Sequence, residues 1–190
     1  LNLLNREQFQ SYLKRKSPDL VIHAAGKVGG IQANISNPVE FLTENIDMGM
    51  NVISSSFSLG LKNLINLSSS CMYPKEANNP LSEFMILDGK LEPTNEGYAL
   101  AKLAVTRLCE YINREDSSSS YKTVIPCNLY GKYDNFNPSS SHMVPGAIRK
   151  IHEAKENNHS DVTLWGSGTP MREFLHVDDL ANAVVFALEN

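Results

Sequence analysis

The segment Asn63-Leu-Ile-Asn-Leu-Ser-Ser-Ser-Cys71 joins a short apolar run to a cluster of hydroxyl and thiol side chains. The run is typical of a buried β-strand, and longer segments with helical periodicity lie on both sides of it, at 38–59 and 94–113. This alternation predicts βαβ units and a parallel sheet. The cluster Ser68-Ser69-Ser70-Cys71 then stands at the carboxyl end of a strand, the edge at which open parallel sheets bind their ligands.

The same alternation extends along the rest of the chain. Two further apolar runs end in small or polar residues, Ala24-Ala25-Gly26 and Asn128-Leu129-Tyr130-Gly131, which we expect at the same edge of the sheet. The sequence therefore predicts an α/β fold, with strands at 19–25, 63–69, 123–129 and 162–166 and helices at 38–59, 94–113, 144–156 and 178–189.

The composition of the chain limits the partners and the cellular compartment that we expect for it. The chain has 190 residues, 42% of them hydrophobic, which suffices for one domain, or one domain and a fragment of another. A net charge of -4 without a basic block argues against nucleic acid or an anionic membrane as the main partner. The cysteines Cys71, Cys109 and Cys127 show no metal-ligand spacing, and their odd number indicates a reduced, cytoplasmic setting. No apolar stretch is long enough to cross a membrane, and the first residues resemble neither a signal nor a transit peptide.

A tyrosine and a lysine four residues apart, Tyr98-Ala-Leu-Ala-Lys102, lie on a predicted helix downstream of the serine cluster. Residues at i and i+4 share a helix face, so the Lys102 ammonium is expected near the Tyr98 phenol, where it favours the ionised phenol and lowers its pKa. A strand-end hydroxyl, a tyrosine and a lysine together form a proton relay to a carbonyl oxygen. Reduction of a ketone by hydride requires such a relay.

A dinucleotide-binding domain is expected to open with a strand, a glycine-rich turn and a helix. The segment Gly26-Lys-Val-Gly-Gly30 follows a strand, but its spacing does not match this fingerprint. We interpret it either as a strand-end loop beside a ligand or as a plain glycine turn. For a nucleotide-dependent enzyme, the fingerprint is expected before Leu1, and the absence of an initiator methionine also suggests a longer protein.

Several longer motifs are more specific than the tyrosine and lysine pair. They are His23-Ala-Ala-Gly-Lys-Val-Gly-Gly30, Ser69-Ser-Cys-Met-Tyr-Pro-Lys75, Glu92-Pro-Thr-Asn-Glu-Gly-Tyr-Ala-Leu-Ala-Lys102, Asn128-Leu-Tyr-Gly131, Asp134-Asn-Phe136, Ser141-His142 and Trp165-Gly-Ser-Gly-Thr-Pro-Met-Arg-Glu-Phe-Leu-His-Val-Asp-Asp179. Through them, nearly the whole chain resembles the extended short-chain dehydrogenases/reductases, and within these the epimerase-reductases that act on GDP-4-keto-6-deoxymannose.

The resemblance implies a Rossmann-like, doubly wound parallel sheet whose first βα units are missing, with part of a small C-terminal substrate domain. Residues 1–135 are then an NADP-binding core, incomplete at its N-terminus. Residues 136–190 are a partial substrate-binding region that includes a returning strand and helix of the core. The chain is expected to be the middle of the enzyme, with the glycine-rich turn before Leu1 and the remaining substrate domain after Asn190.

The resemblance also implies an activity, 3,5-epimerisation of a GDP-4-keto sugar followed by NADPH-dependent reduction at C4. Cys71 is then the base that removes a proton beside the ketone, and His142 is the acid, since histidine can carry a proton near neutrality. Tyr98 protonates the oxygen at C4, Ser69 binds that oxygen, and Lys102 acidifies Tyr98 and holds the cofactor ribose. Cys109 and Cys127 are expected to serve packing.

Further residues correspond to binding positions of the family. The expected NADP(H) contacts are Leu67, Ser68, Ser69, Ser70, Tyr98, Lys102, Pro126, Cys127, Asn128, Leu129 and His142. Lys150, Trp165 and Arg172 correspond to positions that bind the GDP end of the sugar nucleotide, and Arg149 could share or exchange the role of Lys150. A homodimer through the two long helices is typical of the family.

Two other functions remain open at this point. Another extended dehydrogenase, such as a nucleotide-sugar 4-epimerase or a dehydratase, uses serine, tyrosine and lysine but has no evident use for Cys71 with His142. The absent glycine turn is also compatible with a non-catalytic remnant, which would have no affinity for a nicotinamide cofactor.

Overall fold

The computed structural model describes residues 1–138, 140–164 and 166–190. Its helices and strands follow in the order α1 (Arg6–Lys16), β1 (Leu20–His23), α2 (Ile31–Ser36), α3 (Pro38–Ser58), β2 (Asn63–Leu67), α4 (Glu96–Glu115), β3 (Ser120–Val124), β4 (Asn128–Tyr130), α5 (Met143–Glu156), β5 (Phe174–His176) and α6 (Val177–Glu189). Short 3-10 turns lie at Ser70–Met72 and Glu83–Met85.

Two parallel sheets organise these elements. In the larger sheet the strand order is β1-β2-β3, with Leu64 of β2 opposite Val21 of β1 and Tyr121 of β3. In the smaller sheet β4 pairs in parallel with β5. The predicted α/β class is therefore confirmed, and the fold is Rossmann-like. The helices predicted at 38–59, 94–113, 144–156 and 178–189 correspond to α3, α4, α5 and α6.

The central strand β2 is covered on both faces. Leu64 belongs to a core formed with α1, α3 and α4, which includes Phe9, Ile53 and Val105. The next residue, Ile65, points to the opposite face, where it packs with Leu180 and Val184 of α6. Because successive side chains of a strand alternate between faces, two adjacent apolar residues such as Leu64 and Ile65 fit a strand buried between two helical layers.

Two predicted strands differ from the structure. The segment 123–129 contains the end of β3 and the start of β4, separated at 125–127, where Pro126 has no N–H to donate to a ladder. Residues 162–164 form no strand, and Trp165 lies outside the described residues. Gly166 and Gly168 then adopt positive φ, 104° and 77°, which turns the chain. The sheet partner of β4 is instead β5, which the periodicity did not predict.

Helices α1 and α2 were not predicted either. The division of the chain between residues 135 and 136 stays a prediction. In the described part of the chain, none of the helices combines the length and the apolar character that crossing a bilayer requires.

The two long helices α3 and α4 approach closely at Gly49. A Cβ atom at Gly49 would overlap the side chain of Val105, which is buried and, as a β-branched residue, has few rotamers with which to move away. We expect Gly49→Ala to lower the free energy of unfolding by about 1–3 kcal/mol, as overpacking of a core does. Denaturant unfolding of the variant and the parent protein measures this difference.

The double variant Gly49→Ala, Val105→Ala is the control. Since the smaller side chain at position 105 makes room for the added methyl group, the two changes are expected to cost less together than the sum of each alone. Equal stability of Gly49→Ala and the parent protein would contradict the close approach.

Candidate active site

Three strand ends meet at one edge of the larger sheet. After β2, the backbone N–H of Ser68 donates to the carbonyl oxygen of Val124, the last residue of β3, at 2.9 Å. The N–H of Ser70 donates to the carbonyl oxygen of Pro126 at 3.3 Å. The serine cluster and the segment after β3 are therefore held together at the carboxyl edge, as the sequence predicts.

Ser69 begins the 3-10 turn that carries Cys71. Its Oγ accepts a hydrogen bond from the Cys71 N–H at 3.3 Å, and its side chain also shares a hydrogen bond with Tyr98. Ser68 has a different role, because it is buried and its Oγ accepts a bond of 3.0 Å from Thr106 of α4. Ser68 thus fixes the turn to α4, and Ser69 faces the tyrosine.

Tyr98 and Lys102 lie one turn apart on α4, with Lys102 Nζ 5.8 Å from the centre of the Tyr98 ring. Lys102 is only 8% exposed, and its Nζ donates to the carbonyl oxygen of Leu67 at 2.9 Å. Burial lowers the pKa of Lys102. The lysine is therefore fixed between α4 and the end of β2.

The predicted lowering of the Tyr98 pKa is wrong. Burial, and to a lesser extent the negative charge of Cys71, raise the pKa of Tyr98 to about 12, and the hydrogen bond with Ser69 only partly opposes these effects. The sequence spacing showed the nearby ammonium but could show neither the burial nor the thiol. A raised pKa keeps the phenol protonated at neutral pH, which suits a proton donor.

Cys71 is half-buried, and its sulfur accepts a hydrogen bond of 3.2 Å from Asn95 Nδ2. Asn95 is the N-cap residue of α4, the helix that carries Tyr98, so this bond holds the Cys71 turn against the start of that helix. The structure thus brings Ser69, Cys71, Tyr98 and Lys102 together. Sequence reasoning missed Asn95, although an asparagine in the first turn of a predicted helix was a visible signal.

The segment Gly26-Lys-Val-Gly-Gly30 forms the loop after β1 and passes beside Lys102. A Cβ atom at Gly26 would lie 3.1 Å from Asn45 Oδ1 and 3.6 Å from Lys102 Nζ. Buried Asn45 holds this loop, since its Oδ1 accepts from the Lys27 N–H at 2.8 Å and its Nδ2 donates to the Lys27 carbonyl oxygen at 3.0 Å. The expected strand-end loop is present at the site, and its contact with a ligand stays a prediction.

His142 stands at the N-cap of α5 and is exposed. The loop that carries it lies beside the loop after β1, because the Ser141 carbonyl oxygen is 3.6 Å from the position of a Cβ atom at Gly30. Among the contacts of the described residues, none joins His142 to Cys71. The pairing of these two residues as acid and base stays a prediction.

Two of the predicted cofactor contacts after β3, Asn128 and Leu129, also stabilise the fold. Asn128 Nδ2 donates to the Glu173 carbonyl oxygen at 2.9 Å, and Leu129 packs in the core beneath α6. Cys127 lies between β3 and β4 rather than within a strand. Cys109 is buried in the core as predicted, and burial raises the pKa of its thiol to about 12.

Two of the three predicted GDP-binding residues, Lys150 and Arg172, are among the described residues. Lys150 Nζ donates to the Thr163 carbonyl oxygen at 3.0 Å, and exposed Arg172 donates to the Met171 carbonyl oxygen at 3.1 Å. Trp165 lies outside the described residues. Arg149 pairs with Glu153 and donates to the Phe136 carbonyl oxygen at 2.9 Å, an arrangement that disfavours an exchange of roles with Lys150.

His23 is buried at the end of β1 with 5% exposure. Burial, together with the charge of Lys102, lowers its pKa from 6.5 to about 4. In the unfolded chain His23 gains a proton as the pH falls through 6.5, whereas in the folded protein it does so only near pH 4. Stability is therefore expected to fall between these pH values, by about 3 kcal/mol at most.

Urea unfolding at neutral pH and near pH 4 measures this loss of stability. Because other groups also titrate, His23→Gln is the matched control, as glutamine stays neutral throughout. The parent protein is expected to lose more stability than the variant over this interval. Equal losses would remove His23 as the source.

Comparison with known proteins finds a matching family and relatives that are named as GDP-sugar synthases. The family described as the NAD dependent epimerase/dehydratase family matches residues 1–190. A GDP-L-colitose synthase of Yersinia pseudotuberculosis is 53% identical over 190 residues, which cover 100% of this chain and 62% of that protein. A GDP-L-fucose synthase of Azorhizobium caulinodans is 50% identical over 189 residues, with coverage of 100% and 60%.

A solved structure is similar as well. The GDP-L-fucose synthetase from Naegleria fowleri bound to NADP has a TM-score of 0.89 and 30% sequence identity, and the match covers 98% of this chain and 60% of that one. The chain thus spans about 60% of the length of the curated relatives it matches.

Proposed function

Since the chain belongs to the NAD dependent epimerase/dehydratase family, we propose that it carries the reaction centre of a GDP-L-fucose synthase. The reaction is the 3,5-epimerisation of GDP-4-keto-6-deoxy-D-mannose, followed by NADPH-dependent reduction at C4. One observation carries the proposal: Ser69, Cys71 and Tyr98 form a single cluster beside the buried Lys102. Such a cluster combines a base that can act on carbon with an acid that can act on a carbonyl oxygen.

The epimerase half is assigned to Cys71 and His142. A ketone at C4 acidifies the hydrogens at C3 and C5, so inversion needs one group to remove a proton and another to return one on the opposite face. The Cys71 thiolate is the base, supported by the amide of Asn95 at 3.2 Å from its sulfur. His142 is the acid, and the position of its loop beside Gly30 supports this role.

The reductase half is assigned to Tyr98, Ser69 and Lys102. NADPH, when bound, supplies the hydride for C4. Tyr98 donates a proton to the oxygen at C4, and its pKa of about 12 keeps that proton in place until it is needed. Ser69, which is hydrogen-bonded to Tyr98, orients the same oxygen. Lys102 holds a positive charge beside Tyr98 and offers a donor to the ribose.

The residues at the sheet edge fit a dinucleotide. At Gly26 a side chain would meet Asn45 and Lys102, so the glycine allows the backbone of the loop to pass close to the lysine. The relative bound to NADP supports the choice of this cofactor. The proposed NADP(H) contacts are those expected from the sequence: Leu67, Ser68, Ser69, Ser70, Tyr98, Lys102, Pro126, Cys127, Asn128, Leu129 and His142.

The GDP end of the substrate is assigned to Lys150, Trp165 and Arg172, within a substrate-binding region at 136–190. The exposure of Arg172 supports this role, since a guanidinium can bind phosphate through two parallel hydrogen bonds. We also propose a homodimer through α3 and α4, on which Val39 and Leu100 are exposed apolar side chains. The three free cysteines favour the cytoplasm.

A second candidate is a GDP-L-colitose synthase, favoured by the 53% identity with the enzyme of that name. Colitose lacks the oxygen at C3 that fucose carries. Offering the purified protein both 4-keto sugars, one with and one without that oxygen, therefore separates the two functions.

The experiment that tests the function measures the consumption of NADPH by the full-length protein with GDP-4-keto-6-deoxy-D-mannose, together with the identity of the product. We expect one NADPH consumed per GDP-L-fucose formed. A nucleotide-sugar 4-epimerase or a dehydratase consumes no net NADPH, so turnover without consumption would favour those enzymes. A folded protein without affinity for NADPH would favour the non-catalytic function.

A further inference from the structure

Asn95 occupies the N-cap position of α4 but does not cap the helix. Asparagine is among the preferred N-cap residues because its side-chain oxygen accepts from a free N–H of the first turn. Here the side chain makes no such bond. Its Nδ2 instead donates to Cys71 Sγ at 3.2 Å, across 24 residues of sequence. The side chain is therefore directed by its contact with the sulfur rather than by the local preference of the helix.

The segment before α4 is held in place from several directions. The Asn95 N–H donates to the Glu92 carbonyl oxygen at 3.2 Å. The Glu92 carboxylate accepts from the Thr94 N–H at 3.3 Å and pairs at 3.2 Å with Lys75, which follows the turn that carries Cys71. These bonds join the two segments on which Asn95 and Cys71 lie, so the distance between amide and sulfur is fixed by a network.

The orientation of the amide suits an ionised sulfur. A thiolate can only accept hydrogen bonds, and the amide nitrogen can only donate them. The other end of the amide, Asn95 Oδ1, is buried and has no hydrogen-bond partner among the described residues. An unpaired buried oxygen destabilises the fold. The amide of Asn95 therefore donates to Cys71, and neither its nitrogen nor its oxygen caps α4.

We propose that Asn95 is a positioning residue for Cys71, which holds the sulfur in place and stabilises its thiolate for proton transfer at carbon. The inference rests on the proposed function for the part Cys71 plays in epimerisation. Its effect on the sulfur itself is independent of any substrate. The charge of Cys71 also acts on Tyr98, where it favours the protonated phenol, so the donor on Asn95 supports both halves of the reaction.

Alkylation of Cys71 by iodoacetamide tests the contact, because only the thiolate reacts. The rate is measured in the full-length protein between about pH 6 and pH 9, and the Cys71 peptide is separated from those of Cys109 and Cys127 by mass spectrometry. Loss of the donor in Asn95→Ala is expected to slow alkylation about tenfold at neutral pH and to move the pH profile to higher pH.

Asn95→Asp tests the effect on the ionisation of the sulfur in a variant that is expected to keep its fold. Aspartate is as good an N-cap as asparagine, so the helix is retained, but its negative charge opposes a neighbouring thiolate. We expect this variant to react at least as slowly as Asn95→Ala. Asn34→Ala is the matched control. Asn34, like Asn95, has a buried Oδ1 without a hydrogen-bond partner among the described residues, but its amide donates to the Gly29 and Gly30 carbonyl oxygens rather than to Cys71.

Unchanged alkylation of Cys71 in folded Asn95→Asp would overturn the proposal, and so would an equal slowing in Asn34→Ala. Exchange of solvent deuterium into the substrate tests the proposed function separately. If the parent protein exchanges no protons while Asn95→Asp still slows alkylation, the function fails and the positioning of the thiolate stands. If exchange occurs and slows only in the Asn95 variants, both are supported.

Discussion

Replacing Tyr98 with phenylalanine is expected to abolish reduction at C4 while proton exchange at C3 and C5 continues. Only reduction needs a proton on the oxygen at C4, and the phenol of Tyr98 is the proposed donor. Its pKa of about 12 keeps it protonated, and its hydrogen bond with Ser69 fixes its direction. Loss of a positioned acid typically lowers a rate by about 10²–10⁴-fold.

Two assays on the same preparation measure the separation. The fall in NADPH absorbance follows reduction, and mass spectrometry of the sugar nucleotide in heavy water follows exchange. Tyr111→Phe is a matched control, since Tyr111 lies on the same helix, is 54% exposed and faces Arg114 rather than the site. Loss of both activities in folded Tyr98→Phe would contradict the division of roles.

Replacing Cys71 with serine is expected to have the opposite effect, with exchange at C3 and C5 lost first. A hydroxyl loses its proton far less readily than a thiol, so the variant lacks a base near neutral pH. We expect exchange to fall by about 10²–10⁴-fold. Reduction of a substrate that has already been epimerised should persist, because Ser69, Tyr98 and Lys102 remain in place.

Cys109→Ala is the control for the loss of a thiol. Cys109 lies in the core, so its replacement is expected to lower stability and to leave exchange intact at temperatures where the protein is folded. Unchanged deuterium uptake in Cys71→Ser would remove Cys71 as the base. Unchanged overall turnover in that variant would instead favour a nucleotide-sugar 4-epimerase or a dehydratase.

Periodicity predicted the parts of the fold in which one pattern runs for many residues. The helices α3 and α4 are long and amphipathic, and β2 is a short, mostly apolar run followed by serines. The strand β5 has only three residues, Phe174–His176, which is too short to show a period. The expected strand at 162–166 is interrupted by glycine turns whose positive φ values the sequence did not reveal.

The site was predictable where spacing along one element determines the geometry. Tyr98 and Lys102 share a helix face, and Ser69 and Cys71 follow one strand end. The contact of Asn95 with Cys71 joins two segments that no local pattern relates. The direction of the Tyr98 pKa was wrong because it depends on burial and on the thiol, both of which arise only from tertiary packing.

The central claim is that one cluster of residues performs both proton transfer at carbon and reduction at C4. The most direct measurement is the position of deuterium in the product formed by the full-length protein from GDP-4-keto-6-deoxy-D-mannose and NADPH in heavy water. Our account predicts GDP-L-fucose with solvent deuterium at both C3 and C5. A reduced 6-deoxy sugar without deuterium at those two carbons would contradict it.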